Sequence, residues 1–130
     1  MAGELILIVE DNEKNRKLER DILQFHGYRT VEADNAEEGI RLAQATPPAL
    51  VLMDIQLPGM NGIEALHELR ANPRTRTIPL IAVTASAMTQ DRQKIMAAGF
   101  DGYQPKPIEV TQFVAAVRNT VGRPAAGDPP

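Results

Sequence analysis

Two hydrophobic periods alternate along the chain. Short segments of apolar or β-branched residues are each followed by a longer stretch in which apolar positions recur every three or four residues. The strand-like segments are Leu5-Ile6-Leu7-Ile8-Val9, Tyr28 to Ala33 with Thr30 and Val31, Leu50-Val51-Leu52-Met53, Leu80-Ile81-Ala82-Val83 behind Pro79, and a short Asp101-Gly102-Tyr103-Gln104. Continuous apolar runs of four or five residues between turn signals predict strands covered on both faces, as in a parallel sheet. The helical stretches run from Glu13 to His26 (Asn15, Leu18, Ile22 and Phe25 in phase), from Asn35 to Ala45 (Ala36, Ile40, Ala43), and from Ile63 to Ala71 (Ile63, Leu66, Leu69). A fourth runs from Thr89 to Ala98 and a fifth from Val110 to Val121 (Val110, Phe113, Val114, Val117, Val121). Asn35 with Glu38 has the spacing of a capping box, while Gly27, Pro47-Pro48, Asn72-Pro73 and Gly99 stop their helices. The fourth helix is weakly amphipathic: Met88, Ile95 and Met96 are apolar, but Gln90 to Lys94 is an unbroken polar run, so loose packing is expected.

Five strands alternating with five helices predict a doubly wound α/β fold. This is a five-stranded parallel sheet of flavodoxin-like order 2-1-3-4-5 with helices on both faces, connected by right-handed crossovers. The domain is expected to span residues 1–121. Residues 122–130, rich in Gly, Pro and Ala without an apolar period, are expected to be a disordered tail.

The strand ends carry the chemistry. The third strand stops abruptly in Asp54, and the first runs into Glu10-Asp11-Asn12. In open α/β sheets ligands bind outside the carboxyl ends of the strands, and the first and third strands are neighbours in a doubly wound sheet. Three carboxylates brought that close repel one another unless a cation neutralises them. An all-oxygen set suits a hard divalent ion, Mg²⁺ foremost and Mn²⁺ possible. The fourth strand ends in Thr84, and Lys106 follows the fifth. Singly, these residues have ordinary roles: Asp11 as a helix cap, Thr84 as a turn residue, Lys106 as a solvated charge. At corresponding strand ends they make a phosphoryl-transfer set, in which a carboxylate attacks phosphorus while a hydroxyl and an ammonium take the remaining oxygens. His26 at a helix end and His67 among polar neighbours are read as structural and surface residues.

Composition narrows the classes. The 130 residues suffice for one domain. A net charge of -3, from 14 basic and 17 acidic residues without long blocks of either sign, gives no reason to expect nucleic-acid or membrane-surface binding. Cysteine is absent, so neither disulfides nor thiolate metal sites arise. No apolar run approaches the roughly 18 residues of a membrane span, and Met1-Ala2-Gly3-Glu4 lacks a basic leader, so a cytoplasmic location is expected.

Val9-Glu10-Asp11-Asn12, Leu52 to Gly62 (LMDIQLPGMNG), Val83-Thr84-Ala85 and Lys106-Pro107 together resemble the receiver domain of two-component response regulators, over about residues 4 to 121. The resemblance implies that Asp54 accepts phosphate from a histidine kinase or a histidine phosphotransfer protein. It implies Mg²⁺ held by Asp11, Asp54 and the backbone carbonyl of Gln56, with Glu10 reaching the ion through water. It further implies that Thr84 and Lys106 bind the phosphoryl oxygens, that the Lys106-Pro107 bond is cis, and that Tyr103 is an aromatic switch. Output is then expected through the fourth helix, fifth strand and fifth helix to a protein partner, from a monomer or weak dimer. Phosphorylation and dephosphorylation would be the chain's own Mg²⁺-dependent chemistry rather than that of a conventional enzyme. Gln56 and Ser86, two positions after Asp54 and Thr84, are the non-acidic neighbours that bear on phosphate lifetime.

Within the family the motifs look like single-domain cell-cycle regulators of the DivK type, and also like receivers attached to hybrid histidine kinases. With no effector segment after the fifth helix, DNA binding within this chain is not expected. A different class, Mg²⁺-dependent phosphatases that form an aspartyl phosphate, would want an aspartate where Gln56 stands.

Overall fold

A computed structural model describes residues 3–85, 89–123 and 125. The expectations for Ser86, for Met88 and for most of the tail lie outside these residues. The elements are β1 (Leu5–Val9), α1 (Glu13–Phe25), β2 (Arg29–Ala33), α2 (Ala36–Ala45), β3 (Leu50–Asp54), α3 (Gly62–Ala71), β4 (Leu80–Thr84), α4 (Thr89–Ala98), β5 (Gly102–Pro105) and α5 (Val110–Thr120). All strand pairs are parallel, in the order β2-β1-β3-β4-β5 expected from the alternating pattern.

Because side chains alternate across a strand, each strand feeds two cores. Leu7, Val9, Val51, Met53, Leu80 and Ala82 face α2, α3 and α4, where they meet Ala36, Ile40, Leu66, Leu69, Ile95 and Phe100. Ile6, Ile8, Leu50, Leu52, Ile81 and Val83 face α1 and α5, where they meet Leu23, Phe113 and Val117. β3 and β4 are buried along their whole length, which is why they read as unbroken apolar runs.

Side-chain caps set the phase of the helices. Asn12, Asn35, Asn61 and Glu109 each accept a hydrogen bond from the backbone N–H three residues on. A full capping box forms at Asn61 and Glu64. At Asn35 only half of one forms, since Glu38 turns to Arg41, whose Nη2 lies 2.6 Å away.

α1 departs from its apolar pattern. The expected stripe of Asn15, Leu18, Ile22 and Phe25 leaves Leu18 41% and Phe25 86% exposed. The innermost line is instead Arg16, Glu19 and Leu23, about one residue round the helix. Leu23 fills the α1 side of the core, and two charged residues that hydrophobic periodicity discards complete the line. After α5, Gly122 N–H donates to Ala49 O at 3.0 Å and Ala125 N–H to Thr77 O at 2.9 Å, with Ala125 buried.

Candidate functional site

Sheet register assembles the site. Val9 of β1 pairs with Met53 of β3, so the next residues, Glu10 and Asp54, stand side by side. Asp54 in turn pairs with Val83, and Val83 with Gln104. The row Glu10, Asp54, Val83, Gln104 therefore crosses four strands at their carboxyl ends, on the face covered by α1 and α5.

Glu10 and Asp54 are 1% and 3% exposed, whereas Asp11 at the start of the next turn is open to solvent. One carboxylate oxygen from each of the three lies within 4.8 Å of the others. Lys106 Nζ reaches over the row to Glu10 Oε1 at 2.7 Å and Asp54 Oδ2 at 3.2 Å. The contact with Glu10 is the shorter of the two and pairs opposite charges at a buried oxygen. Two backbone N–H groups orient the remaining oxygens: Asn12 donates to Glu10 Oε2 at 3.1 Å and Gln56 to Asp54 Oδ1 at 2.9 Å.

Burial pushes the Glu10 carboxyl up to about 7, and the charge of Asp54 adds to this; Lys106 and the Asn12 N–H pull the other way and lose. Burial also works to lower the Lys106 ammonium, but Glu10 and Asp54 outweigh it and its pKa moves up. The ammonium thus stays charged between two acids. Asp11, Asp54 and Glu10 fit a hard divalent ion: their carboxylate oxygens are close together and no thiolate or imidazole stands among them.

The other expected residues surround this cluster. Thr84 ends β4, 1% exposed, and its carbonyl accepts from Lys106 N–H at 2.8 Å. The Lys106-Pro107 peptide is cis. Gln56 is exposed in the loop after β3 and lines a cleft with Ile55 and Thr84. Gly62 lets that loop fold back: a Cβ there would lie 2.6 Å from the Asp54 carbonyl oxygen and 2.9 Å from Ile55 Cα. Tyr103 is half-buried on the α4 side of β5, with the Arg92 guanidinium 5.4 Å above its ring. His26 caps the end of α1, and His67 is exposed on α3.

Two residues near the site escape sequence reasoning. Glu19 is 1% exposed and its Oε2 is unpartnered; burial, reinforced by the charge of Glu10, raises its pKa to about 8. Arg16 donates from Nη1 to Glu10 O at 2.9 Å. Both sit in the charge-rich stretch from Glu13 to Asp21, indistinguishable by pattern from a solvated helix face.

A doubly wound parallel sheet that gathers three acids and a lysine at its carboxyl edge defines an α/β domain with a candidate divalent-ion site. The model of the response regulator receiver domain matches residues 6–118, and the chain belongs to that family. It is 43% identical over 117 residues to the polar-differentiation response regulator DivK of Brucella anthropi, covering 90% of this chain and 95% of that protein. The receiver domain of a sensor histidine kinase from Pseudomonas aeruginosa PAO1, solved with a magnesium ion coordinated in its active-site cleft, superposes with a TM-score of 0.85 at 33% identity, over 93% of this chain and 99% of that one. The signal receiver domain of a histidine kinase from Syntrophus aciditrophicus gives 0.83 at 30% identity, over 91% and 89%. Among the described residues no helix is long and apolar enough to cross a membrane.

Proposed function

We propose that the chain is a phosphoacceptor in a two-component phosphorelay, with Asp54 receiving a phosphoryl group from the phosphohistidine of a kinase or phosphotransfer protein. The observation that carries this reading is the convergence of Glu10, Asp11, Asp54 and Lys106 at one sheet edge. Glu10, Asp11, Asp54 and the Gln56 carbonyl would hold Mg²⁺, or Mn²⁺ in its place. That ion would supply positive charge between the carboxylate and the anionic group approaching it.

The chain's own residues do the rest. The Gln56 N–H holds Oδ1 of Asp54 and Lys106 holds Oδ2, so the carboxylate is oriented before its partner arrives. Attack by an Asp54 oxygen forms the O–P bond as the N–P bond of phosphohistidine breaks, and the imidazole leaves with the electron pair. Lys106 then follows the charge from the carboxylate to a phosphoryl oxygen, and Thr84 takes another.

Phosphorylation adds nearly two negative charges. Thr84 drawn toward them would free space for the Tyr103 ring, shifting the α4-β5-α5 face on which a protein target is read. Likeness to DivK supports a role in a cell-cycle relay acting through protein partners in the cytoplasm, as a monomer or weak dimer. Likeness to the two histidine-kinase receivers supports a second reading, a receiver serving a hybrid kinase. Labelling with acetyl phosphate and Mg²⁺ tests the core reading: wild type should take up one phosphoryl group, and Asp54→Asn should take up none while melting as a folded protein. Equal labelling of the variant would place the acceptor elsewhere.

A further inference from the structure

If the acids at the end of β1 share an ion with Asp54, the backbone that carries them must be held still, and Glu10 is held from both sides. Its N–H donates to Ala33 O of β2 at 3.0 Å, an extension of the sheet. Its carbonyl, just before Asp11, accepts from Arg16 Nη1 at 2.9 Å. Arg16 is not a loose surface chain. Its Nε donates to Glu32 Oε1 at 3.2 Å, and Glu32 is gripped again by Arg20 Nη1 at 3.2 and 3.0 Å. The Arg16 side chain is only 21% exposed and that of Glu32 24%. A planar fork whose separate nitrogens bind two acceptors is a geometry a lysine cannot reproduce.

We propose that Arg16 is a positioning residue for the metal site, tying the Glu10 carbonyl to β2 through Glu32 and so fixing where Glu10 and Asp11 present their oxygens. This rests on the reading of Glu10, Asp11 and Asp54 as an ion site. Groups that orient metal ligands are part of a site's affinity even though they never touch the ion. The alternative role for Arg16 is purely electrostatic, and it predicts the opposite sign: a cation this close to the acids disfavours a divalent ion, so its removal would tighten binding.

The experiment is calorimetric titration of the whole chain with Mg²⁺ alone, for wild type, Arg16→Met, Arg16→Lys and Arg16→Met/Glu32→Gln, alongside thermal melts in chelator. Arg16→Met should weaken Mg²⁺ about tenfold. Arg16→Lys keeps the charge but not the fork, and should still bind about threefold more weakly than wild type. Adding Glu32→Gln to Arg16→Met should change affinity little further, because the link through which Glu32 acts is already gone. The melts in chelator should stay close together, which separates ligand positioning from general stability. Arg16→Met binding as tightly as wild type or more tightly, or Arg16→Lys matching wild type, overturns the inference. If Arg16→Met does not fold, Arg16→Lys decides by the same criterion. Failure of wild type to bind Mg²⁺ at all is a different result and removes the site reading itself.

Discussion

Glu19 offers the sharpest physical test, because it is a buried acid with a stated environment and no bond to its Oε2. In the unfolded chain its carboxyl titrates at the ordinary 4.5, and in the folded protein burial and the charge of Glu10 hold it near 8. Between these values the unfolded state releases a proton that the folded state keeps. Stability contributed by this group is therefore present in full below pH 4.5 and drains away as pH rises toward 8. At about 1.4 kcal/mol per pH unit, the 2.5 pH units between 4.5 and 7 cost about 3 kcal/mol at neutral pH. Glu19→Gln keeps the shape and polarity but cannot ionise. Urea unfolding of both proteins from pH 4 to 9 should give curves that meet near pH 4. They should separate in favour of the variant by about 1.4 kcal/mol per unit and run parallel above pH 8. A stability difference that is flat across pH 5 to 8, or that favours wild type at pH 7.5, would refute the reasoning.

Other expectations follow from packing. Gly62→Ala forces a Cβ to within 2.6 Å of the Asp54 carbonyl oxygen, so it should cost about 1–3 kcal/mol in denaturant unfolding and slow labelling of Asp54; an unchanged midpoint would show that the loop yields freely. The rotation of α1 predicts a contrast: Leu23→Ala should lose about 2–5 kcal/mol, while Phe25→Ser, at a position 86% exposed, should stay within about 0.5 kcal/mol. Comparable losses from both would return Phe25 to the core.

Much of the architecture lay open in the one-dimensional pattern, for a physical reason. Strands covered on both faces must be apolar throughout, so Leu5 to Val9, Leu50 to Met53 and Leu80 to Val83 announce themselves, and the acids that interrupt such runs stand out against them. Asn35 likewise marks where α2 begins, because an Asx side chain suits the free N–H groups of a first turn; that Asn12 and Asn61 cap α1 and α3 became visible in the structure. That is how Glu10, Asp11 and Asp54 stand out in the sequence, whereas Thr84 and Lys106 gain meaning only from standing at corresponding strand ends.

The inner face of α1 could not be named in that way. Burial of Glu19 and the reach of Arg16 to the Glu10 carbonyl depend on how the helix turns about its axis once Leu23 is seated, and on β2 placing Glu32 opposite it. Hydrophobic periodicity weighs Arg16 and Glu19 as solvated charges, since it counts side chains one helix at a time. Whether such a charge meets water, a carbonyl or another acid is decided between elements, by contacts that span from 6 to 52 positions along the chain. Local sequence chose the strands, the caps and the chemistry at the strand ends; three-dimensional packing chose which charged residues stand behind that chemistry.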